Sequence, residues 1–246
     1  MLLRKKLTII TLIIYWVFLA IVSHIPIQEL VYQARVSDKN LHLVAYLVLT
    51  FLLWFAVKPD QKVNWRKITV WWVILIIAVY AVMDEVIQGV VGRNCDMMDF
   101  IADMAGALAG LILFSILNFW PAFLCVNAIT ILLITNVARA NVAELMPVIN
   151  LTFHLASYAL FTAVWIQCIN LFWKLKAKSI RKCLAALAAP LALLITVKSY
   201  SMVSGRFFTK RDIIVAVTAI VAVVAVNFLF AYLCRRSQAR TFPDSF

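Results

Sequence analysis

Five carboxylic acids lie within a short, mostly apolar part of the chain. They are Asp84, Glu85, Asp96, Asp99 and Asp103, and the residues that could pair with them are His42 and Arg93. Acids this close in a poorly hydrated place cannot all be ionised and unpaired, so some must share a proton, pair with Arg93 or coordinate a cation. A protonated acid could act as a general acid, with His42 or another carboxylate as the base.

Helical spacing places further polar residues beside these acids. Residues four apart share one face of a helix, and this spacing recurs along three segments. The resulting stripes are Asp38, His42 and Tyr46; Asp84 and Gln88, with Glu85 alongside; and Asp99, Asp103, Gly106 and Gly110. The two glycines allow a neighbouring helix to approach closely. We therefore expect a polar cluster where these helices meet.

The residue types suggest a role for each member of this cluster. We predict catalytic roles for His42, Asp84, Glu85 and Asp103. We predict substrate binding by Asp38, Lys39, Tyr46, Gln88, Arg93 and Asp99, and structural roles for Gly92, Gly106 and Gly110. Simpler alternatives are that Asp96 and Asp99 are solvated loop and helix caps, that Arg93 fixes the loop, and that Tyr46 only packs.

The composition predicts an all-α integral membrane protein. The chain has 246 residues, 65% of them hydrophobic, and a mean hydropathy of +0.98, which leaves too little polar sequence to cover a soluble core. We expect about eight transmembrane helices, at 7–23, 41–57, 68–91, 99–119, 121–137, 153–173, 183–203 and 212–233. The first apolar run lacks a small-x-small cleavage motif, so we expect a retained helix and not a signal peptide.

The distribution of charge predicts the orientation of these helices. With eight spans, fifteen of the 23 lysines and arginines fall on the side that carries both termini, together with only two acids, Asp60 and Asp244. The positive-inside rule therefore places both termini in the cytoplasm and the polar cluster at the opposite side. The net charge of +12 does not predict nucleic-acid binding, because the basic residues lie in the loops between spans.

Two motifs recur at nearly one offset. His42-x-x-x-Tyr46 returns 112 residues later as His154-x-x-x-Tyr158, and Gly92-Arg93 followed by Asp99 returns 113 residues later as Gly205-Arg206 followed by Asp212. This pattern predicts two parallel four-helix repeats, residues 1–120 and 121–246, related by an axis along the membrane normal.

The predicted second repeat lacks most of the polar groups. Asn150 replaces Asp38, Ala216 replaces Asp103, and Val197, Lys198 and Ser201 replace Asp84, Glu85 and Gln88. We therefore expect the first repeat to carry the chemistry, and His154 and Tyr158 to be relics or packing residues.

Taken in order, the motifs of the first half resemble the VanZ-like family. They are Asp38-Lys39-x-x-His42-x-x-x-Tyr46, Asp84-Glu85-x-x-Gln88, Gly92-Arg93, Asp99, and Gly106-x-x-x-Gly110, and they cover about residues 1–120. The sequence departs from the family in lacking a proline before Gly92 and in carrying Asp103 where asparagine is common. The resemblance implies a multi-pass protein of the bacterial inner membrane with a role in the cell envelope, such as resistance to the glycopeptide teicoplanin or exopolysaccharide formation. It implies no particular reaction.

Three functions are consistent with these features. The first is an enzyme acting on, or a protein binding, an envelope lipid or lipid-linked glycan at the non-cytoplasmic face. The second is a lipid or small-molecule transporter or flippase, and the third is a non-catalytic envelope binding or assembly protein. The sequence identifies no cofactor, although a divalent cation among the acids is a further hypothesis.

Overall fold

The computed structural model describes residues 2–24, 37–91, 96–138, 140–173 and 180–241. Within these ranges the chain is all-α, as predicted, and contains no strand. Its helices are α1 (Leu2–His24), α2 (Asp38–Val57), α3 (Ile68–Val90), α4 (Met97–Ile116), α5 (Phe119–Thr135), α6 (Val142–Leu145), α7 (Pro147–Phe172), α8 (Ile180–Val203) and α9 (Lys210–Thr241).

Seven of the described helices are long and apolar enough to cross a membrane, which makes this a multi-pass membrane protein. They are α1 to α4 and α7 to α9, and they coincide with seven of the eight predicted spans. The remaining predicted span is α5, an apolar helix of 17 residues. At 1.5 Å per residue it is about 25 Å long, slightly less than a typical hydrocarbon core. An eighth crossing therefore remains a prediction, as does the orientation of the termini.

The chain forms two compact units, residues 1–141 and 142–246. In the first unit α2 is the central helix, and it packs against α1, α3, α4 and α5. Its closest neighbour is α4, because a Cβ added at Gly106 would lie only 2.2 Å from the carbonyl oxygen of Leu43. Only glycine permits this approach, so the predicted structural role of Gly106 has a direct physical basis.

Aromatic side chains fill the first unit at the end where α2 finishes. Phe51 and Phe55 of α2 contact Phe114 of α4 and Phe119 of α5, with ring centroids 5.2–5.8 Å apart. Arg4 at the start of α1 pairs with Asp60 and lies 4.7 Å above the Phe119 ring. This end of the unit is therefore tightly packed, with the pair of Arg4 and Asp60 at its margin.

The second unit is built around α7, which packs against α8 and α9. Trp165 of α7 donates its indole N–H to the carbonyl oxygen of Ala185 on α8, at 2.8 Å. The compact units divide after Asn141, whereas the predicted repeats divide after residue 120, so α5 belongs to the first unit.

Burial follows the same register in the two units. On α3 the residues Val73, Ile77, Ala81, Asp84 and Gln88 are buried, and so are the residues 113 positions later on α8, namely Ala186, Pro190, Leu194, Val197 and Ser201. On α4 the buried residues Asp99, Asp103, Gly106, Ala107 and Leu111 have buried counterparts at the same offset on α9, namely Asp212, Ala216, Ala219, Ile220 and Val224. The same offset that relates the motifs thus also relates the buried faces.

Candidate functional site

The candidate site lies where four helices of the first unit place their polar ends together. These ends are the last turn of α1, the first turns of α2, the last turns of α3 and the first turns of α4. Asp84 and Asp103 each lie six residues inside their helix, which corresponds to a depth of about 9 Å. The cluster therefore reaches from the end of the unit into its apolar interior.

His42 and Asp103 form the buried centre of this cluster. The Nδ1 atom of His42 lies 2.9 Å from Oδ1 of Asp103, and the two residues are 8% and 0% exposed. The pair joins α2 to α4 one turn from the close approach at Gly106. Because Gly106 sets that approach, it also sets the separation of the imidazole and the carboxylate.

Asp84 is held by donors from two helices. Its Oδ1 accepts a hydrogen bond from the Ser23 hydroxyl at 2.7 Å, and its Oδ2 accepts one from the Gln88 amide at 2.9 Å. The His24 Nε2 atom lies 3.7 Å from the same Oδ1. Asp84 thus joins α1 to α3, and both of its oxygens have partners.

Glu85 and Asp103, in contrast, each keep one oxygen without a partner. Glu85 Oε2 accepts a hydrogen bond from the backbone N–H of Asp96 at 3.0 Å, which fixes the end of α3 to the start of α4. Glu85 Oε1 and Asp103 Oδ2 are fully buried and have no hydrogen-bond partner among the described residues. With respect to the described residues, two carboxylate oxygens are thus available to accept hydrogen bonds or to bind a cation.

The outer rim of the cluster is ionic and more exposed. Lys39 donates to Asp96 at 2.9 Å and to Asp99 at 3.4 Å. The hydrogen bond from Lys39 lowers the pKa of Asp96, and the bond from the Met98 N–H to the same carboxylate lowers it further. Asp96 also caps α4, because its Oδ1 accepts from this N–H of the first turn. Asp38 lies on the same rim, 3.9 Å from His42 Nε2.

Two tyrosines lie beneath the cluster. The rings of Tyr46 on α2 and Tyr80 on α3 are 5.9 Å apart, and their buried hydroxyls have no partner among the described residues. Trp16 of α1 packs edge-on against Tyr80 at 5.3 Å. Farther in, the interior is filled mainly by apolar and aromatic side chains, such as Leu47, Phe51, Ile77, Leu111 and Phe114. The polar cluster therefore ends at the two tyrosines.

The structure brings most of the predicted site residues into one region. Asp38, Lys39, His42, Asp84, Glu85, Gln88, Asp99 and Asp103 all belong to the contacts above, and Tyr46 lies directly beneath them. Gly110 lies farther along α4 against Leu47 and Phe114, where an added Cβ would be 3.2–3.4 Å from their side chains. Gly92 and Arg93 lie outside the described residues. The catalytic and binding roles of the site residues remain predictions.

Sequence reasoning missed Ser23 and His24. Both are polar residues at the end of an otherwise apolar helix, and this end faces Asp84. The available signal was their place in the last turn of the first span, on the side of the membrane where the polar cluster was predicted. Tyr80, one turn before Asp84, was missed because a tyrosine in an apolar helix is ordinary.

Two overlapping groups of side chains have donor atoms close enough to hold a cation. One consists of His42, Glu85 and Asp103, all buried, and the other of Asp38, His42 and Asp99 nearer the rim. Within each group the donor atoms lie within 4.8 Å of one another.

The helices and the cluster together define a class, that of multi-pass membrane proteins with an ionisable site at one end of a helical unit. Residues 4–118 match the model of the family described as VanZ/LLP1. This segment is therefore VanZ-like, as its motifs predict, and it contains the whole described polar cluster. Neither a curated protein nor a solved structure matches the chain.

Proposed function

We propose that the first unit binds the polar headgroup of a cell-envelope lipid or lipid-linked glycan. In this proposal the chain resides in the bacterial cytoplasmic membrane, and the cluster opens to the non-cytoplasmic face. The carrying observation is the pair of buried oxygens, Glu85 Oε1 and Asp103 Oδ2, that have no hydrogen-bond partner in the described part of the chain. A buried acceptor without a donor costs about 1–3 kcal/mol, so a ligand that supplies donors would relieve this cost.

The chemistry of these acceptors indicates the part of the ligand that they contact. Carboxylate oxygens accept hydrogen bonds from hydroxyl and amino groups, which are abundant in glycan headgroups. Lys39 at the rim adds a cationic group 53% exposed, which suits an anionic group of the same ligand. The expected ligand therefore presents hydroxyls to the interior and a negative charge to the rim.

The packing beneath the cluster favours a headgroup site over a transport path. A transporter needs a route for its substrate to the opposite face, and polar groups usually line such a route. Here apolar and aromatic side chains follow directly beneath Tyr46 and Tyr80. A ligand that enters from one end and keeps its acyl chains in the bilayer requires no such route.

A second candidate is an enzyme that uses the same site for acid–base chemistry. The observation that favours it is the buried pair of His42 and Asp103 at 2.9 Å. A carboxylate that accepts from the Nδ1–H of histidine leaves Nε2 free to take a proton from a bound hydroxyl. Binding alone and catalysis are distinguished by incubating the bound lipid with the protein and measuring product. Turnover lost in His42→Ala would support the enzyme, and binding without product would remove it.

The direct test of headgroup binding is mass spectrometry of lipid that co-purifies with the full chain. Wild-type protein should retain one lipid class enriched over the bulk membrane lipids. Glu85→Gln and Asp103→Asn should reduce its occupancy about tenfold or more, which corresponds to one charge-assisted hydrogen bond. Asp212→Asn is the matched control, because it removes a buried carboxylate from the second unit. The same lipid profile in all four proteins would contradict the proposal.

The link to glycopeptide resistance is tested in cells. We propose that expression of the chain in a sensitive bacterium raises the teicoplanin concentration required to stop growth. Glu85→Gln and Asp103→Asn, expressed at the same level, should abolish this effect, whereas Asp212→Asn should keep it. No change with the wild-type chain would remove the resistance role and leave the lipid-binding proposal to its own test.

A further inference from the structure

We infer that His42, Glu85 and Asp103 form a binding site for one first-row divalent transition-metal ion. The site would lie within the polar cluster, between α2, α3 and α4. The proposal rests on the donor atoms alone and does not require the headgroup function.

The three residues provide a suitable set of donor atoms. They come from three different helices, an arrangement common in the metal sites of helical bundles. Their donor atoms lie within 4.8 Å of one another. Adjacent ligands around an ion at about 2.0–2.2 Å are roughly 3.0–3.5 Å apart, so a pair at the 4.8 Å limit would have to approach by about 1.3–1.8 Å. The 2.9 Å between His42 Nδ1 and Asp103 Oδ1 equals the spacing of two adjacent ligands around such an ion.

Two further observations distinguish this group from an ordinary cluster of acids. Glu85 and Asp103 are 4% and 0% exposed, and each has a fully buried oxygen without a partner. Among the described residues, no lysine or arginine forms an ion pair with either carboxylate. Two buried carboxylates whose oxygens lie within 4.8 Å of one imidazole nitrogen therefore leave negative charge that a divalent cation would neutralise.

The rim group of Asp38, His42 and Asp99 is the weaker candidate. Lys39 Nζ lies 3.4 Å from Asp99 Oδ1 and already supplies a positive charge there. Asp38 is also 41% exposed, so water competes for its oxygens. The Lys39 ammonium would repel a cation bound at the rim. Among the described residues it forms no ion pair with Glu85 or Asp103.

The mixed donor set indicates the kind of ion. Calcium and magnesium prefer oxygen ligands only, and closed structural zinc sites use four nitrogen or sulfur ligands. One imidazole with two carboxylates suits Mn²⁺, Fe²⁺, Co²⁺ or Zn²⁺. Three protein ligands leave at least one coordination position for a ligand oxygen, so the ion could hold an anionic group that the carboxylates alone would repel.

The test measures metal on the full chain purified in detergent, stripped with a chelator and equilibrated with Co²⁺. We expect about one Co²⁺ per chain by elemental mass spectrometry, a visible absorption band from the bound ion, and competition by Zn²⁺ and Mn²⁺. Metal binding should weaken at least about tenfold in each of Glu85→Gln, Asp103→Asn and His42→Ala. Substituting even a residue that only hydrogen-bonds to a metal ligand usually lowers the metal affinity tenfold or more. His154→Ala in the second unit should bind as wild type does.

Three results would overturn the inference. They are a wild-type chain that binds none of the three ions, binding that survives both Glu85→Gln and Asp103→Asn, and binding that is lost in Asp99→Asn but kept in Glu85→Gln. Helical circular dichroism verifies folding of each variant, and Glu85→Gln carries the test if Asp103→Asn does not fold. The measurement uses no added lipid, so its failure leaves the headgroup proposal to be judged by the co-purified lipid.

Discussion

The first unit buries three carboxylic acids at positions where the second unit has none. At an offset of 113, Asp84, Glu85 and Asp103 correspond to Val197, Lys198 and Ala216. All but Lys198 of these six are buried, and Lys198 is half-buried. A helical unit with this buried register therefore forms without the acids. Because buried acids are costly, their presence in the first unit points to a function and not to a need of the fold.

Asp212, the one buried acid among the described residues of the second unit, is satisfied by its neighbours. Asp212 accepts hydrogen bonds from the Asn150 amide at 2.6 Å and from the N–H and hydroxyl of Thr209 at 2.7 and 2.8 Å. These are the contacts of a helix N-terminal carboxylate. In the first unit, by contrast, two buried carboxylate oxygens have no hydrogen-bond partner within the ranges that the structure describes. Asp212 thus resembles a structural cap, whereas Glu85 and Asp103 provide free acceptors.

The two units also differ in the charge of one contact at a helix end, because Lys198 stands at the position that matches Glu85. Glu85 Oε2 accepts from the backbone N–H of Asp96, whereas Lys198 Nζ donates to the backbone carbonyl of Phe208 at 2.6 Å. Both contacts join the end of one helix to the chain just before or at the start of the next. The junction is thus retained with opposite charge, and a carboxylate that accepts hydrogen bonds is replaced by the ammonium group of a half-buried lysine.

The largest predicted effect comes from Gly106→Ala, which should destabilise the first unit. The second unit already has an alanine, Ala219, at the matched position. The new Cβ would overlap the Leu43 carbonyl oxygen, so α2 and α4 would have to separate. We expect a loss of about 3 kcal/mol in the free energy of unfolding, together with loss of lipid and metal binding. Thermal and denaturant unfolding in detergent measures the first effect.

Gly110→Ala is the graded control for this substitution. Its Cβ would meet only side chains, at 3.2 Å or more, and these can move. It should cost clearly less stability than Gly106→Ala and should keep ligand binding. Equal losses in the two variants would show that the backbone approach at Leu43 does not determine the site.

The second-largest effect is expected from Asp103→Ala, which gives the first unit the residue that the second unit has at the matched position, Ala216. The His42 Nδ1 atom loses its carboxylate partner, which should cost about 2 kcal/mol of stability. Lipid and metal binding should fall at least as far as in Asp103→Asn, while the helical circular dichroism is retained. Retained binding in this variant would contradict the view that the acids distinguish the two units.

A smaller effect tests what the units share. Thr50 and Thr162 are both fully buried, and each donates to a backbone oxygen four residues earlier, at 2.6 and 2.7 Å, on Tyr46 and Tyr158 respectively. Thr50→Val and Thr162→Val should each change the free energy of unfolding by no more than about 1 kcal/mol, and by similar amounts. Lipid binding should be unaffected in both. A large difference between the two would show that the matched positions are not structurally equivalent.

Much of the site could be predicted because local spacing determined it. Four-residue spacing placed Asp38 and His42 on one face, and the stripe from Asp99 to Gly110 includes Gly106, where α2 and α4 approach closely. The VanZ-like resemblance, carried by the same residues, was confirmed by the match to residues 4–118. These features depend on residues that are near one another in the sequence.

The partners of each group could not be predicted, because they depend on how the helices pack. Ser23 is 61 residues from Asp84, and no local pattern links the two. The same holds for His154, which has no acid near it in the sequence. In the folded unit its Nε2 atom lies 3.9 Å from Oδ1 of Asp212. The parallel arrangement of two repeats remains a prediction. The buried positions that recur at an offset of 113 residues agree with it.

The smallest effect is expected at the rim, where Lys39→Gln removes the cation beside Asp96. The Lys39 hydrogen bond holds the pKa of Asp96 below its ordinary value, so this contact stabilises the fold above the ordinary pKa and is lost as the pH falls through the lowered one. The substitution should raise the pKa of Asp96 only part of the way to its ordinary value, because the Met98 N–H still donates to the carboxylate. Both side chains are about half exposed, so stability near neutral pH should hardly change.

Carboxyl ¹³C NMR titration measures the shift in the pKa of Asp96. Lys198→Gln is the control, since Lys198 donates to a backbone carbonyl and its loss should leave Asp96 unaffected. A pKa of Asp96 that is the same in Lys39→Gln and wild type would show that the rim contact is absent in the membrane-embedded protein.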